Sequence, residues 1–178
     1  MAKLGESIVV EYLRDLGLIP IKINVGTERT PDFEVTNKDG ELLFYLEEKT
    51  IEADNFLDNV ETGVIIEGND PSENTLEKKF RIAVKQFNQV NESHSVPNVI
   101  AFVNFNNMVN IHDLHITLTG HGITEDGEFI SLRRAGRVVN DIEHVDLCLW
   151  FEKDELKNKF WMNNCEEREE LLKVLLQV

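Results

Sequence analysis

PDFEVTNKDGELLFYLEEKT, residues 31–50, decides how this chain folds. Phe33 and Val35 alternate with Asp32 and Glu34, the period-two pattern of a half-buried strand beginning at Asp32. Asn37-Lys38-Asp39-Gly40 is turn chemistry. LLFYL at 42–46 is then an unbroken apolar run of strand length, as in a strand covered on both faces, and it ends abruptly in Glu47-Glu48-Lys49. A hairpin closing on a buried central strand accounts for both halves. It brings Asp32 near Glu47, and period two points Glu47 and Lys49 to the same face.

Upstream, Leu4, Ile8, Val9, Tyr12, Leu13 and Leu16 follow helical spacing, with Gly17 where a left-handed cap belongs. An extended segment over 18–23 and a polar turn, NVGTERT, lead into the hairpin. Downstream, residues 53–74 scatter acids among Asn, Gly and Pro, which predicts a loop insertion over the hairpin's charged end, with GVIIEG a short strand candidate. Leu76, Phe80, Ala83, Val84, Phe87 and Val90 predict a helix over 73–91, followed by a strand in VPNVIAFVNF. VDLCLWF predicts another strand and EEREELLKVLLQV a closing helix with acids in its first turn. This order predicts an α/β fold, a central mixed sheet with helices packed on its faces.

The chain has 178 residues, 42% of them apolar, enough for one sizeable core, so one domain over 1–178 is expected. No apolar run approaches the roughly 18 residues of a membrane span, and MAKLGES lacks the layout of a signal peptide, which predicts a soluble, cytoplasmic protein without membrane partners. Cys148 and Cys165 are too few for a disulfide scaffold and are expected to be reduced and structural. The net charge of -15 argues against a generally basic surface for gripping phosphates. Positive charge is needed only where a substrate lies.

Asp and Glu number 33 and Lys 11, so composition alone generates about two acid-x-Lys tripeptides. Three occur, Glu47-Glu48-Lys49, Glu77-Lys78-Lys79 and Glu155-Leu156-Lys157, so the tripeptide by itself carries nothing. Context separates the first: it ends a buried strand whose hairpin partner starts at Asp32.

Pro31-Asp32-Phe33 followed by LLFYL-Glu47-Glu48-Lys49, with Glu6 on a preceding helix, resembles the hallmark of the PD-(D/E)xK superfamily. That superfamily includes restriction endonucleases, Holliday-junction resolvases and phage and repair nucleases. The resemblance covers roughly residues 4–105 and leaves 106–178 as a C-terminal extension. It implies a restriction-endonuclease-like core and hydrolysis of phosphodiester bonds, in DNA above other nucleic acids. It further implies Mg²⁺ or Mn²⁺ held by Asp32, Glu47 and Glu6, and Lys49 positioning or activating the attacking water. Many members direct a Gln or Lys from the next helix at the site, which points to Gln86, seven residues after Lys79 on the same flank. Many also cut as dimers, though no exposed apolar stripe marks a homodimer interface here. Glu48 departs from the pattern, whose middle position is usually small or apolar.

Plainer readings stand beside these. Asp32, Glu47 and Lys49 would also suit a cross-strand salt bridge, Glu6 a first-turn acid favoured by the helix dipole, and Gln86 an ordinary surface residue. His112 and His115, with His121 beyond, sit three apart in a segment read as loop or strand, a poor match to zinc spacing, so solvent-facing histidines are expected. Arg133, Arg134 and Arg137, and Lys78, Lys79, Arg81 and Lys85, are basic clusters suited to phosphates or to nearby Glu. Trp150 and Trp161 suit a core or an interface better than base stacking. A second class of function also follows from the charge: a non-catalytic acidic protein, immunity-like or DNA-mimicking, binding a basic partner.

Overall fold

The computed structural model describes residues 2–24, 29–53, 71–124, 126–132, 138–162 and 164–177. Helix α1 (Ala2–Asp15) lays Val9 and Leu13 on the sheet and stops at Gly17, whose φ of 79° permits the left-handed turn; there Leu18 N–H bonds back to Leu13 at 3.0 Å. Strands β1 (Ile19–Lys22), β2 (Phe33–Thr36) and β3 (Leu42–Ile51) form an antiparallel meander. Asn37 builds the β2–β3 turn, its side chain accepting from the Asp39 and Glu41 amides at 3.0 and 2.9 Å.

Helix α2 (Pro71–Val90) crosses over to β4 (Asn98–Asn104), which runs parallel to β3 with all seven residues buried. After α3 (Ile111–Thr119) and a small hairpin, β5 (His121–Ile123) with β6 (Phe129–Ser131), the chain returns through a 3-10 turn at Ile142–His144. Strand β7 (Leu147–Glu152) lies parallel to β4, β8 (Glu155–Trp161) turns back antiparallel, and α4 (Glu166–Leu175) closes the chain. The result is an α/β fold on a six-stranded mixed sheet of order β1-β2-β3-β4-β7-β8.

Alternation along β3 and β4 divides the core in two. Phe44, Leu46, Val99 and Ala101 pack with Val9 and Leu13 of α1 and Leu172 of α4. Tyr45, Ile51, Ile100 and Phe102 pack with Phe80 and Phe87 of α2 and Leu114 of α3 on the other face. Burying a side chain of this size contributes about 1.5–3 kcal/mol, and both layers seal the middle of β3, where the charged residues lie.

Three expectations need correction. The His112–His115 segment is helical rather than loop or strand. Asn110 caps α3 in a capping box with Asp113, and Gly120 ends it at φ 74°. Glu47, Glu48 and Lys49 do not close strand β3 but lie within it, since pairing with β4 continues to Ile51. Strand β8 was not expected from its polar sequence, which suits an edge strand with one side open to solvent. Helix α2 already begins at Pro71, and the remainder of the 53–74 insertion, residues 54–70, lies outside the described residues, as do Arg133, Arg134 and Arg137. No described helix is long and apolar enough to cross a membrane.

Candidate active site

Strand pairing sets the first contact. Phe33 lies opposite Leu46, so Asp32, one residue before β2, arrives beside Glu47. Its N–H donates to Glu47 Oε2 at 2.9 Å, and the Glu48 N–H donates to Asp32 Oδ2 at 2.9 Å. This reciprocal clamp of backbone amides on carboxylates fixes both acids at one sheet position.

Glu47 is 2% exposed. Burial pushes its carboxyl up to about 8, against the opposing charge of Lys49 and with a further push from Asp32. Lys49 Nζ is bonded to Glu47 Oε1 and donates to Gln86 Oε1 at 3.0 Å, while Gln86 Nε2 donates to the Thr30 carbonyl at 2.8 Å. Gln86 thus ties α2 both to Lys49 and to the segment entering Asp32. Lys79, on the same flank of α2, is half-buried, and burial followed by the nearby Lys49 charge lowers its pKa.

Glu48 points to the opposite face, under α1. Its carboxylate accepts from Thr50 Oγ1 at 2.7 Å, and burial pushes its pKa up to about 7. A Cβ on Gly5 would lie 2.3 Å from both Glu48 Oε1 and Thr50 Oγ1, so only glycine lets the helix approach this closely. The departure at the middle of the tripeptide therefore has a physical answer: the bulk of Glu48 occupies the space left by the missing side chain of Gly5.

Glu6 joins the group through a residue the sequence reading did not single out. Lys22 Nζ, from edge strand β1, lies 2.8 Å from Glu6 Oε2 and 2.9 Å from Asp32 Oδ1, and also sits 4.8 Å from the centre of the Phe33 ring. Partial burial works against the ammonium, yet its hydrogen bonds to Glu6 and Asp32 outweigh this and hold its pKa above the usual lysine value. The only sequence signal for Lys22 was an isolated lysine in the extended segment between the first helix and the motif. Gly5 gave none, because close approach is a tertiary fact.

The five expected residues are thus brought together, in two linked groups: Glu47, Lys49 and Gln86 toward α2, and Asp32, Lys22 and Glu6 toward α1. Among the described residues no three His, Cys, Asp or Glu side chains gather closely enough to hold a metal ion as they stand. The donor chemistry nevertheless suits a hard divalent cation. Glu6, Asp32 and Glu47 offer carboxylate oxygens, and two of these acids already close on one positive charge, that of Lys22.

The competing candidates are ordinary by contrast. Glu155 and Lys157 of the third tripeptide form a 2.5 Å ion pair on exposed β8, and Glu77 pairs with Arg81 at 3.2 Å along α2. His112 and His121 are exposed, and burial followed by their charges lowers the pKa of half-buried His115. Trp150 is fully buried, and both cysteines are free thiols, Cys148 in the core and Cys165 part-buried. No protein-family model, curated protein or solved structure matches this chain.

Proposed function

We propose that this chain is a divalent-cation-dependent nuclease of the PD-(D/E)xK kind, with a restriction-endonuclease-like core, hydrolysing phosphodiester bonds in nucleic acid, DNA in the first place. The observation that carries this reading is the linked set Asp32, Glu47, Lys49 and Gln86, drawn from the start of β2, from β3 and from α2 around the buried carboxyl of Glu47, where a surface salt bridge would have no reason to be. The order α1, the β1-β2-β3 meander, α2 and parallel β4 supports the core assignment.

Asp32, with Glu6 and Glu47, would hold Mg²⁺ or Mn²⁺, which when bound supplies charge neutralisation at the phosphate and a more acidic coordinated water. Asp32 is oriented for this by the Glu48 amide. Lys49 has three N–H donors, of which Glu47 and Gln86 take two; the third is left for a phosphate oxygen or the attacking water. Its side chain is 13% exposed, so its charge acts with little solvent screening on an oxyanion as it develops. Around α2 from Gln86, Lys78 and Lys85 are exposed on either side of Arg81, which is itself paired with Glu77 and Asp141, and the two lysines are suited to phosphates flanking the scissile one.

The test is EDTA-sensitive cleavage of supercoiled plasmid and single-stranded DNA by clean protein. Asp32→Ala and Lys49→Ala are each expected to reduce the rate by roughly 10²-fold or more, with the circular dichroism spectrum retained. Cutting that survives both substitutions excludes this site. The net charge of -15 favours one other reading, an acidic protein that binds a basic partner. It predicts no cleavage, and binding that weakens steeply with salt.

A further inference from the structure

The ammonium of Lys22 is held by two carboxylates, Glu6 Oε2 at 2.8 Å and Asp32 Oδ1 at 2.9 Å. Both acids belong to the set proposed to hold a divalent ion. A cation bound by oxygens at about 2.0–2.1 Å would draw on the same two oxygens, and the ammonium and the metal would repel each other across a few ångströms of part-buried space. They are competitors for one cradle. Lys49 also occupies one proposed ligand, at Glu47 Oε1, but its other partner is the neutral Gln86 on α2, so it does not bridge two of the acids as Lys22 does.

Lys22 is built to yield. It lies on β1, one of the two edge strands of the sheet, paired with β2, and its side chain is 40% exposed. A flexible four-carbon stem can swing its charge into solvent without breaking a strand hydrogen bond. In leaving, it gives up an aromatic contact with Phe33 and two carboxylate partners.

Resting on the metal-site reading above, we propose that Lys22 is an internal counter-cation occupying the place of the divalent ion between Glu6 and Asp32, and that its displacement gates metal binding. The gate offsets one of the two negative charges and keeps both acids in place when metal is scarce. It lowers apparent metal affinity by the fraction of time the cradle is free.

The test is calorimetric titration of Mn²⁺, without substrate, into wild type, Lys22→Met, Lys22→Arg and Asp32→Ala, with thermal melts of each. Lys22→Met removes the charge and keeps the length; it should bind Mn²⁺ at least about tenfold more tightly than wild type, the factor for a cradle free less than a tenth of the time. Lys22→Arg should stay near wild type. As a second readout on unmodified sequence, saturating Mn²⁺ should raise the acylation rate of Lys22 and leave that of exposed Lys38 unchanged. Binding by wild type that is lost in Asp32→Ala but unchanged or weakened in Lys22→Met, with Lys22 acylation indifferent to Mn²⁺, overturns the gate and leaves the metal site standing. Absence of Mn²⁺ binding in wild type and in Lys22→Met overturns both. Binding by Lys22→Met alone supports the gate in its strongest form.

Discussion

Two buried acidic groups on the same sheet are treated in opposite ways. At the N-terminal ends of β4 and β7, Asp146 is surrounded by donors: His94 Nε2 at 2.6 Å, Arg168 Nε at 2.7 Å and the Asn98 amide at 2.9 Å. Burial alone would raise its pKa, but these hydrogen bonds outweigh it and hold the carboxyl below the usual aspartate range. Along β3, Glu47 and Glu48 are pushed up to about 8 and about 7 by burial that their partners do not offset. The first group is solved as structure, with its charge matched and its partners drawn from the turn before β4, the first residue of β4 and α4. The second is left electrostatically unfinished, with excess carboxylate held by strand pairing, which is what the proposed cation site requires.

The largest effect expected from breaking this contrast is at the satisfied group. Arg168→Ala leaves Asp146 buried with a main partner missing and should cost about 3–5 kcal/mol in urea denaturation, while leaving Mn²⁺ affinity within twofold or so of wild type. A variant as stable as wild type would mean that the Asp146 network is ornamental and the comparison empty.

A smaller effect of opposite sign is expected on β3. Glu48 titrates near 7 in the fold against about 4.5 ordinarily, so between those values the folded protein keeps a proton that the unfolded chain releases. Stability from this group therefore falls as pH rises through that window, and the full penalty is present above it. Glu48→Gln removes the penalty and can still accept from Thr50 Oγ1. It should stabilise the protein by roughly 1–3 kcal/mol at pH 8 and by much less at pH 4.5, read from melting temperatures at the two values. Asp146 contributes in the reverse sense, its stabilisation being present above the ordinary aspartate value and lost as pH falls through its lowered one.

The same contrast marks what could be read from the sequence. The buried run at 42–46, the helical stripes of α1 and α2 and the apolar strands β4 and β7 were legible because each writes its burial into its own periodicity. So were Asp32, Glu47 and Lys49, since strand register follows from a short hairpin. Helix α3 carried usable signals in Asn110, Asp113 and Gly120 that the spacing of the histidines obscured. Edge strand β8 was illegible because its exposure leaves no apolar pattern. Lys22, Gly5 and the Asp146–His94–Arg168 network were illegible for another reason: each depends on which elements meet in space, and no local period encodes that.

The most direct test of the central claim is titration of Mn²⁺ into wild type and Asp32→Ala, with the circular dichroism of both recorded. The account predicts saturable binding in wild type that Asp32→Ala abolishes while its spectrum is unchanged. Equal binding in the two proteins, or none in either that Lys22→Met also fails to restore, would contradict it.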